Sequence, residues 1–293
     1  MTYRLLALNI DGTILNSQGR LVKETKEAIQ YVKDKGVYVT LVTNRHFLSA
    51  KKIARALKLP SSMLVTHSGA FIGTSVDKPI YERRLSEEKT FNLIQLLENF
   101  ECHIRILHER YSIGNRIKLQ NNIVAKTVLK TGEPLFYPLQ FVDSLGDTLR
   151  DEPLTTPKIE VYFSSHQEKE RAERTISTAV PDIEWFSYPH EERCYIVPKG
   201  VSKLSGIRFV ANQLSIPLED VVAIGNCYDD FDTVEQVGMG VAMGNSPADL
   251  KKVAKWVTRS NNENGVAYMV KELFRKQQRI GYSYNVDVTN LKK

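Results

Sequence analysis

The stretch Arg4–Leu15, RLLALNIDGTIL, constrains the chain most. Leu5 to Leu8 is an unbroken apolar run, too short for a helix and bounded by polar residues, so it suits a strand buried on both faces of a parallel sheet. Asn9, Asp11, Gly12 and Thr13 follow it directly. In an open α/β sheet the carboxyl end of a strand opens onto the crevice where ligands bind. Asp-Gly-Thr supplies a carboxylate, a flexible backbone and a hydroxyl at one point, although Asp-Gly is also an ordinary turn.

The same design recurs. Val37 to Val42 runs into Thr43-Asn44-Arg45, Met63 to Thr66 into His67-Ser68-Gly69-Ala70, and Asp220 to Ile224 into Gly225-Asn226-Cys227-Tyr228-Asp229-Asp230. Helical spacing is expected between them over Val22–Lys35 and Leu48–Leu57, and later over Lys203–Leu214, Ser246–Ala254 and Val266–Gln277. This alternation predicts an α/β chain with a Rossmann-like, doubly wound parallel sheet. The rhythm changes from about Glu82. A helix over Ser86–Phe100, strands at Cys102–Leu107, Arg110–Ile113 and Lys158–Ser164, a helix over Gln167–Ala179 and strands at Ile183–Tyr188 and Arg193–Val197 read as an inserted α+β domain. The expected division is a core of residues 1–83 and 198–293 with an insert of 84–197. The segment between Ile113 and Lys158 reads as mixed polar, and the tail from Arg279 as loosely packed.

Composition narrows the function classes. At 293 residues there is room for two modest cores, and 42% hydrophobic with 25% charged residues is ordinary for a globular protein. No run approaches the roughly 18 apolar residues of a membrane span, and no charged-then-apolar leader precedes the first strand. Three cysteines without metal-ligand spacing fit a reducing compartment, so the expectation is a cytoplasmic protein with no membrane partner. The net charge of +6 comes from Lys and Arg spread along the chain, with no basic stripe interleaved with aromatics. Nucleic acid is therefore not the expected partner. The sequence carries no statement of oligomeric state.

Each polar cluster has a job at a phosphate. Thr43 and nearby backbone amides can hydrogen-bond phosphate oxygens, Lys203 can neutralise them, and Asp229 and Asp230 offer oxygens suited to Mg²⁺. The structural alternative is that Thr43 caps the next helix, Lys203 is a solvated helix-start lysine, and the Asp pair caps its own helix.

Taken in order, the clusters resemble the haloacid dehalogenase (HAD) superfamily, and within it the Cof-type phosphatases of subfamily IIB character, with a large cap between the second and third motifs. NIDGTIL resembles the first motif, VTNR the second and GVSKLSGI the lysine-bearing third. The block AIGNCYDDFDTVEQVGMGVAMGNSPADLKKVAKWVT, with NNENGVA after it, resembles the fourth region. The resemblance implies hydrolysis of small phosphorylated metabolites such as sugar phosphates. It also implies an aspartyl-phosphate intermediate, a second Asp (here Asp11) as general acid and base, and a cap that shapes the pocket and excludes water. The implied phosphate-binding residues are Gly12, Thr43, Asn44, Arg45 and Lys203. The implied Mg²⁺ positions are 9, 11, 226, 229 and 230.

Two matched positions depart from that chemistry. Asn9 stands at the nucleophile position and Asn226 at the first metal-binding acid of the fourth motif. A carboxamide is a poor nucleophile toward phosphorus, and it ligates Mg²⁺ without the charge that gives most of the affinity. Asp229 stands where the family places asparagine and returns one of the two lost charges; it can serve as a shifted metal ligand or as a helix cap. Two readings follow: a phosphatase with weak or altered turnover in a weakened or absent Mg²⁺ site, or a non-catalytic, phosphate-ligand-binding pseudophosphatase with a regulatory role.

Overall fold

The computed structural model describes residues 2–116, 138–189 and 191–281. The chain forms two compact units, Met1–Tyr81 with Ser202–Lys293, and Glu82–Val201.

The first unit opens with β1 (Leu5–Leu8) and β2 (Tyr38–Leu41), joined through a helix over Lys23–Asp34. After the Phe47–Ala56 helix come three short strands, β3 (Leu64–Thr66), β4 (Phe71–Gly73) and β5 (Pro79–Glu82), in a small sheet of that order. The run at 64–66 is thus not a full member of the main sheet. It pairs antiparallel with β4 and touches the end of β2 through one parallel bridge, Val42 to Val65.

The second unit holds β6 (Cys102–Leu107), β7 (Ser112–Asn115), β8 (Leu139–Val142), β9 (Lys158–Phe163), β10 (Ile183–Ser187) and β11 (Arg193–Pro198). They form one sheet in the order β10-β11-β9-β6-β7-β8. One face carries Ile104, Ile106, Ile159, Val161 and Ile196, and packs with Leu93, Leu97, Leu149, Ala172 and Ile176 from three helices among the described residues, Glu87–Leu97, Leu145–Asp151 and His166–Ala179. Strand β8 and a short helix over Leu145–Asp151 stand in the segment expected to be mixed polar. Strand β7 lies two residues later than the expected Arg110–Ile113.

The chain then returns to the first unit with β12 (Val221–Gly225), β13 (Met239–Ala242) and β14 (Trp256–Val257). The main sheet runs β14-β13-β12-β1-β2, all parallel. Alternate residues of a strand face opposite sides, and β1 shows it. Leu6 and Leu8 join the core shared with Ile29, Val32, Met269, Val270 and Phe274, whereas Leu5 and Ala7 join Ile207, Val210 and Ala211 on the other face. Helices therefore cover both sides, as a doubly wound sheet requires. The start of the tail expected to be loose from Arg279 is packed: Ile280 lies on the core and its amide donates to the Lys35 carbonyl at 2.8 Å. Beyond residue 281 that expectation lies outside the described residues. Among the described residues no helix is long and apolar enough to cross a membrane.

Candidate functional site

Strands β1, β2 and β12 are neighbours and parallel, so the loops that follow them open at one edge. The helix over Lys203–Gln213 starts there too. Its Ser202 N-cap and Ser205 exchange hydrogen bonds in a capping box, which fixes where Lys203 leaves the backbone.

Asn9 lies at the centre. Its side chain is buried, with Oδ1 accepting from the Ile10 amide at 2.8 Å and from Lys203 Nζ at 3.4 Å. Nδ2 donates to Asn226 Oδ1 at 2.8 Å, to the Asp11 carbonyl at 3.1 Å and to Asp230 Oδ2 at 3.3 Å. Asn226 Oδ1 also accepts from the Thr13 hydroxyl at 2.9 Å. Gly12 has φ +65, and a Cβ there would collide with the Asn226 side chain, so the loop needs glycine for both reasons.

Lys203 is not a solvated lysine. Its side chain is 1% exposed, and Nζ lies 2.7 Å from Asp230 Oδ1 and 3.1 Å from Asp229 Oδ2. Burial alone would favour the neutral amine, but the two carboxylates outweigh it and raise its pKa. Asp229 shows the converse. Burial pushes its carboxyl up, Lys203 together with hydrogen bonds from Cys227 and Asn44 pulls harder, and the pKa falls to about 2.

The oxygens of Asp229 take Lys203 and the Cys227 thiol, the latter at 2.7 Å. Asp230 Oδ2 accepts from the amides of Asn226 and Cys227 at 2.9 and 3.2 Å, the second closing a capping box on the short turn at 228–230. Thr43 is no cap of the next helix: His46 accepts from Ser49 there, while Thr43 Oγ1 accepts from the Arg45 amide at 3.2 Å.

Asn44 bonds Asp229 and accepts from the Ser68 hydroxyl at 3.0 Å. Arg45 grips Asp11 with two hydrogen bonds, Nε to Oδ2 at 2.7 Å and Nη2 to Oδ1 at 2.6 Å. Asp11 is 56% exposed at its side chain and Arg45 13%, so this pair faces the opening while the Lys203 group lies beneath.

Two participants were not singled out from sequence. Cys227 sits among Lys203, Asp229 and Asp230, and burial, with the carboxylates adding to it, raises its pKa well above the ordinary thiol value, which keeps it a donor. Asn245 donates to the Gly12 carbonyl at 2.9 Å and holds the first loop. Its signal was its place in the GNSPADL run of the fourth motif.

The donor set does not suit Mg²⁺. Carboxylate charge supplies most of the affinity for a hard dication, yet positions 9 and 226 are neutral amides, and an N–H group of Asn9, not an oxygen, points at the Asp11 carbonyl and Asn226 Oδ1. Asp229 and Asp230, the other acids, converge on Lys203. Cys227, Asp229 and Asp230 form a compact cluster, but a lysine ammonium already lies among them.

A parallel sheet carrying an Asp-Gly-Thr loop, a Thr-Asn-Arg loop, a buried lysine and an acidic fourth loop at one edge is the architecture of a phosphoryl-transfer hydrolase. The profile of the haloacid dehalogenase-like hydrolases matches residues 6–270. Stress response protein YhaX of Bacillus subtilis (strain 168) is 52% identical over 282 residues, covering 96% of this chain and 97% of that protein. The 5-amino-6-(5-phospho-D-ribitylamino)uracil phosphatase YcsE of the same strain is 28% identical, covering 92% and 94%. The crystal structure of a haloacid dehalogenase-like hydrolase from Bacteroides thetaiotaomicron superposes with a TM-score of 0.78 at 22% identity, covering 93% of this chain and all of that one. The chain belongs to the haloacid dehalogenase-like hydrolases, and among them to the Cof type.

Proposed function

We propose that the protein recognises a small phosphorylated metabolite at this edge and that its turnover of that ligand is impaired at the nucleophile. The observation that carries the reading is Asn9. Its oxygen, the only atom that could face phosphorus, is neutral and already accepts from Ile10 and Lys203. The escape route in which Asp11 activates water directly is opposed by Arg45, whose guanidinium holds both carboxylate oxygens. The same guanidinium presents planar donors that match a phosphate as well as they match Asp11. Substrate class rests on the phosphatase relatives, whose printed names include a phosphorylated ribitylamino-uracil. In this reading the Glu82–Val201 unit is the inserted cap that selects the ligand.

The test is phosphate release from sugar phosphates, nucleotides and an aryl phosphate, with and without Mg²⁺. The unmodified chain runs beside Asn9→Asp/Asn226→Asp/Asp229→Asn. Equilibrium binding of the same compounds is measured in parallel. The expected result is binding by both proteins and hydrolysis by the restored variant alone, at least ~10³-fold faster. Turnover near ~10 s⁻¹ from the unmodified chain would falsify the impairment. Absence of binding to every phosphorylated compound would remove the ligand class.

A further inference from the structure

We propose that the Asn9 side-chain amide takes the position of the divalent cation, so that this site is complete, and binds its phosphorylated ligand, without a metal. The oxygens that face Nδ2 are the Asp11 carbonyl at 3.1 Å, Asn226 Oδ1 at 2.8 Å and Asp230 Oδ2 at 3.3 Å. Three acceptors from two loops, one after β1 and one after β12, converging on one point are the surroundings of a cation, and here a nitrogen with two protons fills it.

The orientation of the amide follows from its neighbours rather than from a preference. Turned over, its oxygen would face three acceptors, and its N–H₂ would face the Ile10 amide and the Lys203 ammonium, which are donors. No other orientation satisfies this network.

The changes at 226 and 229 belong to the same rearrangement. With a neutral donor in place of a dication, a carboxylate at 226 would add a negative charge beside Asp230, whose counter-charge Lys203 is already shared with Asp229. A carboxylate at 229 lies instead against Lys203 at 3.1 Å and accepts the Cys227 thiol. The negative charge has moved from the loop that faces the cation position to the side that faces the lysine. Anion recognition then rests on groups whose charge is permanent, Arg45 and Lys203, together with the Thr43 hydroxyl.

The inference concerns the metal and is separable from the reading of turnover. Mn²⁺ alone is titrated against the unmodified chain and followed by its paramagnetic effect on water relaxation, with Mg²⁺ as competitor. Thermal unfolding is recorded in millimolar Mg²⁺ and in chelator. Binding of inorganic phosphate is measured with and without chelator. The unmodified chain is expected to show no stoichiometric Mn²⁺ site, the same Tm in both media and the same phosphate affinity in both. Asn9→Asp/Asn226→Asp/Asp229→Asn is expected to acquire one Mn²⁺ site displaced by Mg²⁺, and a Tm that rises by several degrees with Mg²⁺.

A stoichiometric Mn²⁺ site in the unmodified chain that Asn226→Ala abolishes overturns the proposal, as does phosphate binding that chelator removes. A restored variant that folds by circular dichroism yet ignores the ion also overturns it, because the amide is then not what closes the site. If the triple change does not fold, Asn9→Asp/Asn226→Asp takes its place with the same criteria. Phosphate release by a metal-free unmodified chain would overturn the turnover reading and leave this one standing; Mn²⁺ binding without turnover would do the reverse.

Discussion

Lys203 and Lys158 are both buried lysines, and they are held in opposite ways. Lys203, at the edge of the parallel sheet, is a cation between two carboxylates, Asp229 and Asp230. In the second unit the hub is a carboxylate: Glu160 lies 2.6 Å from Lys158 and 3.8 Å from Arg105, while Lys158 Nζ also stands 4.9 Å from the centre of the Tyr195 ring. A buried charge is costly mainly when its partner is removed. The two arrangements therefore differ in what each leaves behind. Loss of Lys203 strands two like charges together, whereas loss of Lys158 leaves Glu160 with Arg105.

The largest expected effect is that of Lys203→Met. Two buried carboxylates lose their shared counter-charge, and the loss should be about 3–5 kcal/mol by denaturant unfolding. Adding Asp229→Asn should recover part of it. Lys158→Met should cost less, about 1–3 kcal/mol, since Arg105 stays in place. Equal losses at the two sites would break the comparison.

Acid should act on both hubs alike. Burial favours the neutral acid at Asp229 and at Glu160, but the neighbouring cations prevail and draw both pKa values to about 2. A carboxyl depressed on folding contributes stability above its unfolded pKa of about 4, and that contribution is lost as pH falls through the folded value. Unfolding free energy should therefore decline between about pH 4 and 2. Asp229→Asn and Glu160→Gln should each make that acid limb shallower, and an unaltered limb in either variant would remove that group from the account. Lys203, raised on folding, keeps its contribution at every pH below the ordinary lysine range, so it adds nothing to the acid limb.

The smallest effect on stability is expected at Arg45→Lys. Its partner Asp11 is more than half exposed, and such pairs contribute about 1 kcal/mol or less. The forked geometry is lost all the same, and inorganic phosphate should bind about 10-fold more weakly. A large stability loss with unchanged phosphate binding would make Arg45 structural and not ligand-binding.

Much of this was readable in the chain. Leu5–Leu8 and the runs at 37–42 and 220–224 are apolar on both faces and end in polar clusters, which fixes buried parallel strands and the edge where the site lies. The second unit is less legible. Strand β8 has two exposed residues in its middle and shows no apolar alternation, and the Leu145–Asp151 helix buries only Leu145, Gly146 and Leu149. Lys203 at a helix start looks solvated until the fold brings Asp229 and Asp230 to it from 26 and 27 residues further on. The role of Asp229 was illegible for the same reason, because a capping side chain and an ion-paired one have the same local sequence. Asn9 was legible as a change of charge. The direction of its amide was not, since that is set by Asn226 and Asp230, over two hundred positions away.

The convergence of Asn9 on Asn226 and Asp230 also bears on history. Asn9→Asp alone would set a carboxylate oxygen where three acceptors now meet, and Asn226→Asp alone would add charge beside Asp230, whose counter-charge is already shared. Each single step toward an acidic pair is thus expected to pass through a less stable protein. Substitutions coupled in this way work as a ratchet: the set at 9, 226 and 229 is exchanged together or not at all, because the instability of the intermediates blocks one-at-a-time replacement.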